Sequence, residues 1–180
     1  FIQTGLLDGA YLFNGSFKNE KNQSIKVSHS ETINFRLGDN YSISVWFKSS
    51  LGGDHSILEK WGTTGSGPYP YVIRGPSSAG RITFAIWNNS LNPSTTSPSG
   101  SDYSDGNWHH IIAMNSFFGD SLRNNITLYI DGVNVARTTY NFSSGNINNT
   151  QNLLIGSRMP NTKNFNGTID EVMIYNRTLS

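Results

Sequence analysis

The sequence predicts an all-β chain folded as a two-sheet antiparallel sandwich, and three observations predict it. Hydrophobic residues recur with a period of two almost everywhere, the period of a strand with one face buried. Turn-forming residues interrupt these runs every few positions, with 18 glycines and abundant Asn, Ser and Thr. One Asp-Gly pair, Asp131-Gly132, separates two alternating runs at the spacing of a two-residue hairpin. No segment holds apolar residues at helical spacing over three turns, so helices are not expected.

The elements follow in order. Ala10–Asn14 is a strand candidate, and in Gln23–Ser28 Ile25 and Val27 alternate with Lys26 and Ser28. In Tyr41–Lys48, Ile43, Val45 and Phe47 point one way while Ser42, Ser44, Trp46 and Lys48 point the other. Ser56–Lys60 and Pro70–Arg74 are short strands, and Arg81–Trp87 repeats the alternation through Ile82, Phe84 and Ile86. Trp87 is out of phase with those three and is expected on the opposite face. Trp108–Ser116 leads into the hairpin, Ile126–Ile130 and Val133–Arg137, and Asn152–Ser157 and Thr168–Tyr175 complete about eleven strands. The longest turn-rich stretches are Gly62–Pro70 and Asn88–Asp105, rich in Gly, Ser, Thr and Pro. A loop of the latter length is often functional. Asn141–Asn152 reads as a solvated connection. The 180 residues show no repeat and no internal boundary, so they are read as a single domain with its own core.

Composition removes several classes of function. Charged residues are only 14% and the net charge is +1, with no cluster of Lys or Arg, so a nucleic-acid partner is not expected. No apolar run approaches the ~20 residues of a membrane span, and membrane insertion is not expected. Without cysteine there are no disulfides and no thiolate metal sites. Aromatics at 12% are too many for a disordered polar chain. The chain opens on Phe1 and reads as a domain excised from a larger protein. Sequons such as Asn125-Ile126-Thr127 bear on the surface only in a glycosylating host.

Three blocks carry a family resemblance. Asp105-Gly-Asn-Trp-His-His-Ile-Ile-Ala113 is similar to a "G-x-W-H-H-V-A" entry into a central strand, and Leu128-Tyr-Ile-Asp-Gly-Val133 to "L-Y-V-D-G". Leu154-Ile-Gly156, followed by Phe165 to Ser180, resembles the "F-x-G-x-I-D-E-V-x-I-Y-N-R-x-L-S" ending of laminin-G-like, concanavalin-A-like domains. Upstream, Leu12–Gly15 and Ser42–Phe47 match the family's N-terminal blocks. The resemblance spans essentially the whole chain. It implies a jelly roll of two curved antiparallel sheets, a concave face and rim loops, but a range of functions.

Some jelly rolls of this superfamily hydrolyse glycans, and the resemblance would then require a Glu-x-Asp-x-x-Glu strand, which this chain lacks. Asp170-Glu171 and His109-His110 are adjacent pairs, expected to face opposite sides of a strand. No enzyme activity is expected. The resemblance also implies a structural calcium ion where the first strand meets the last, held by Asp170 with Asn14, the Gly15 carbonyl and Asp8. Asn14 stands where the family commonly has Asp. The alternative is that Asp170 only accepts backbone hydrogen bonds.

Aromatic residues point to a binding face, because sugars stack their apolar faces on Trp or Tyr while amides and Arg fix orientation. Trp61, Tyr69, Tyr71 and Trp87 cluster around the middle strands, with Arg74, Asn88 and Asn89 nearby. Trp46 and Trp108 hold framework positions and are assigned to packing. The expected function is a non-catalytic carbohydrate-binding module of a secreted or cell-surface protein, with a glycan or surface polysaccharide as partner. The alternative is a protein-binding adhesion or spacer domain with another surface protein as partner.

Overall fold

A computed structural model describes residues 6, 9–15, 24–62, 67–119, 123–142, 144–158 and 162–179. Among these lie twelve strands and one short 3-10 turn, Glu31–Ile33. The strands are β1 (Tyr11–Asn14), β2 (Ile25–Val27), β3 (Tyr41–Lys48), β4 (Ser56–Glu59), β5 (Tyr69–Arg74), β6 (Thr83–Trp87), β7 (Ser94–Thr96), β8 (Trp108–Phe118), β9 (Arg123–Ile130), β10 (Val133–Asn141), β11 (Leu153–Ile155) and β12 (Asn166–Tyr175). They form two antiparallel sheets of six, ordered β1-β12-β3-β8-β9-β10 and β2-β11-β4-β5-β6-β7, a jelly-roll sandwich.

The core lies between the sheets, where the alternating residues meet. Ile43, Val45 and Phe47 from one sheet and Ile57, Ile73, Phe84 and Ile86 from the other are all fully buried. Each such side chain contributes roughly 1.5–3 kcal/mol by leaving water. The hairpin turn forms as expected, with Asp131 and Gly132 at φ 53° and 79°. Gly156, at φ 82°, is required twice over: the angle suits glycine, and a Cβ there would run into the Phe13 ring.

Two expectations are corrected. Asn88–Asp105 contains a strand, β7, which pairs with the outer side of β6. It was illegible because three residues are too few to show alternation. The stretch 141–152 is not simply solvated. Phe142 and Ile147 enter the core at 1% exposure. Lys60, fully buried, donates from Nζ to the carbonyls of Gln151 (2.5 Å) and Asn149 (3.2 Å). Asn149 in turn donates from Nδ2 to the carbonyls of Lys60 and Pro68. A buried ammonium needs acceptors, and the loop's carbonyls supply them.

Candidate functional site

The second sheet carries a separate aromatic cluster on its outer face. Strict alternation would place Tyr69 and Tyr71 together, but the β5–β6 register slips. Tyr69 pairs with Trp87 and Val72 with Ala85, which leaves one extra residue on β5. The bulge contains Pro70, which has no N–H to donate to the ladder. As a result Tyr69 joins Val72 and Ala85 on the outer face, under Trp61 and Trp87, while Tyr71 turns into the core. Trp61 stacks on Tyr69 with ring centroids 4.5 Å apart, and Trp87 packs against both at 5.8 and 6.4 Å. Tyr69 is fully buried and donates to Asn92 Oδ1 at 2.8 Å, so it forms the floor. The two tryptophans are half-buried.

Beside this shelf lies an ionic centre. Glu59, with its side chain wholly out of solvent, accepts from Arg74 Nε at 3.0 Å and from Arg158 Nε and Nη2 at 2.9 and 3.1 Å. Ser56 Oγ also donates to it. Both guanidinium groups lie over the Trp61 ring, at 4.8 Å for Arg74 and 4.5 Å for Arg158. Among the described residues, two buried donors here have no acceptor, Arg74 Nη2 and Trp61 Nε1. Arg74 also lines a cleft of about 250 Å³, with Asp54, His55, Gly75, Arg81 and Thr83 among its walls. Burial lowers the His55 pKa against the opposing pull of Asp54, and among the described residues its buried Nδ1 has no partner. Asp54 is held below its ordinary pKa by Lys163, its ion-pair partner.

The structure therefore brings together Trp61, Tyr69, Trp87 and Arg74 and separates the remaining expected contacts. Tyr71 is corrected: it has no exposed surface, stands among Phe35 and Tyr41, and donates to the Ile33 carbonyl at 2.9 Å. Asn88 is corrected too. Its Oδ1 accepts from the N–H groups of Ser90 and Leu91 and its Nδ2 donates to the Ser144 carbonyl, so the amide is consumed in holding a turn. Asn89 is exposed at φ 75° in that turn. Trp46 stacks on His110 at 4.7 Å, consistent with framework packing.

Glu59 and Arg158 were missed by sequence reasoning. A charged Glu59-Lys60 pair inside a predicted strand was a signal of buried charge. Nothing in the local sequence marks Arg158, which arrives from 99 residues away.

The proposed metal set does not assemble. Asn14 pairs with Asn166, four positions along β12 from Asp170, a separation of about 13 Å at ~3.3 Å per residue. The Asn14 carbonyl accepts from Asn166 Nδ2, and a Cβ at Gly15 would meet the same side chain. Asp170 accepts backbone N–H groups from Leu6 and Glu171 at 2.8 and 2.9 Å. Asp8 lies outside the described residues. Asn14 and Gly15 thus cannot share an ion with Asp170, and the residues present do not fit the calcium ligand set that the resemblance implies. Glu171 takes φ 48° where β12 bulges against β3. The adjacent histidines do diverge: His109 is buried between Asp105 and Asp131, while His110 bonds Ser44.

Comparison with known proteins agrees with this architecture. The sequence model of the concanavalin A-like lectin/glucanases superfamily, of the laminin G type, matches residues 19–180, and the chain belongs to that family. No curated protein matches it in sequence. Among solved structures it resembles mouse laminin alpha1 domains LG4-5, at 15% identity and a TM-score of 0.64, covering 92% of this chain and 40% of that one. It also resembles the binding domain of Paraclostridial Mosquitocidal Protein 1, at 18% identity and a TM-score of 0.72, covering 98% and 42%. A third likeness is the CBM40 of the Ruminococcus gnavus IT-sialidase bound to alpha2,3 sialyllactose, at 15% identity and a TM-score of 0.61, covering 89% and 95%. At such identities these likenesses establish the fold. The chain spans well under half of the laminin and mosquitocidal chains it matches. Among the described residues, no helix is long and apolar enough to cross a membrane.

Proposed function

We propose that this chain is a non-catalytic carbohydrate-binding module of a secreted or cell-surface protein, and that it binds glycan on the outer face of the second sheet. The observation that carries the reading is the pair of half-buried tryptophans, Trp61 and Trp87, set on a buried floor of Tyr69, Val72 and Ala85 beside Arg74. The Trp87 indole accepts the C–H face of a sugar ring, Trp61 being already covered by Tyr69 and the two guanidinium groups, while Arg74 and the Thr83 hydroxyl orient the sugar's hydroxyls. Such an open site favours modest affinity and bridging water. The carboxylate at the centre, Glu59, is saturated by donors and poorly placed to act as an acid or nucleophile. The glycan-bound CBM40 relative lends the same reading support.

A second reading rests on the opposite sheet, where Ile112, Met114, Tyr129 and Leu179 line an apolar groove of about 240 Å³. That groove favours a protein partner. A glycan array with the purified domain tests the two. Specific glycan binding that weakens about tenfold in Trp87→Ala, at an unchanged fold, supports the module. Absence of binding to every glycan overturns it in favour of an adhesion or spacer role.

A further inference from the structure

We infer that the glycan recognised on this face is an acidic one, whose anionic group docks in the cleft between Arg74 and Arg81. This rests on the carbohydrate-binding reading and deepens it. The charges around the cleft do not balance. The charged side chains lining it are two arginines, Arg74 and Arg81, and one carboxylate, Asp54, which is itself paired with Lys163. The lining thus holds one more positive charge than negative, on a chain whose net charge is +1.

Nor do the hydrogen bonds balance. Among the described residues, Arg74 Nη2 and Trp61 Nε1 are buried donors without acceptors, and such groups are uncommon in a folded protein. Glu59 cannot absorb them, because its two oxygens already take two guanidinium groups and a hydroxyl. A sugar hydroxyl brings a donor with each acceptor, whereas an anionic group is acceptor-only and suits a cleft walled by two guanidinium groups. Arg81 is fixed at the cleft by its Nε, which donates to the Ser97 carbonyl at 2.7 Å. Planar forks held in place in this way match carboxylate and sulfate oxygens two at a time. Stacking on Trp61 removes water from one side of Arg74, which strengthens its attraction for an anion.

The test is titration calorimetry of the folded domain with four oligosaccharides: one ending in sialic acid, one of galacturonic acid, one sulfated, and the neutral lactose. At least one acidic probe is expected to bind about tenfold or more tighter than lactose, with a preference that shrinks as salt rises. The probe that shows it identifies the source of the charge. Arg81→Gln lies outside the Glu59 cluster and keeps the fold testable. It is expected to lose most of the acidic preference, as is Arg74→Met if its melting curve remains cooperative. Trp87→Ala is expected to weaken acidic and neutral probes alike. If lactose binds as well as every acidic probe, or if the preference survives Arg81→Gln, the inference is overturned while the module stands. If no probe binds, and the array is also blank, both readings fall.

Discussion

Glu59 Oε2 accepts a hydrogen bond from Arg158 Nε at 2.9 Å, joining β4 to the segment that follows β11 across 99 residues of sequence. The carboxylate is the shared partner of two guanidinium groups that would otherwise repel each other over a single indole ring. It therefore organises the shelf on which Trp61 stands.

Removing that charge should be costly. Glu59→Gln keeps the shape but leaves Arg74 and Arg158 facing each other with a weaker acceptor between them. A loss of about 2–4 kcal/mol is expected, toward the low side for a broken buried pair because both arginines keep partial contact with solvent. Urea unfolding measures it, and a midpoint equal to that of the parent chain would show that the cluster contributes nothing.

Stability should rise with pH between about 8 and 10. Burial holds the Lys60 pKa at about 8, below its ordinary value, so over this interval the unfolded chain binds a proton that the folded chain has released. Below about pH 8 both states carry the proton and the contribution is flat. Above about pH 10 the sign reverses, because burial raises the pKa of Tyr41, Tyr71 and Tyr140, whose unfolded counterparts ionise first. Urea midpoints across this range, compared with those of Lys60→Met, check the expectation. The rising limb should be missing in the variant, and a parent chain whose midpoint falls steadily from pH 8 would contradict the account.

Tyr71 should matter for folding and not for binding. Tyr71→Phe removes the hydrogen bond to the Ile33 carbonyl and leaves that acceptor buried, for a cost of about 1 kcal/mol. Glycan affinity should be unchanged, in contrast to Trp87→Ala. A matched loss of affinity in the two variants would mean that the ligand reaches the interior of the sandwich.

Much of the fold was legible because a half-buried strand writes its burial into the sequence. Ile43, Val45 and Phe47, or Ile82, Phe84 and Ile86, reveal a core face without reference to anything distant. The same logic placed Trp87 correctly on the outer side, since it breaks phase with its neighbours. It failed for Tyr71, because a bulge at Pro70 shifts the phase by one residue and no local pattern announces it. It failed for Asn88, whose amide is taken up by the N–H groups of Ser90 and Leu91 and the Ser144 carbonyl, only part of which is local.

The sequence by itself determined the all-β class, the hairpin at Asp131-Gly132, the family and the face on which Trp87 lies. These depend on side-chain period and turn chemistry, which are local. Tertiary structure decided that Arg158 meets Glu59, that Asn14 and Asp170 stand at opposite ends of a strand pair, and that Lys60 is buried among loop carbonyls. Those outcomes depend on register and on which distant strands become neighbours. Charge pairing acts through space, and only the folded chain sets those distances.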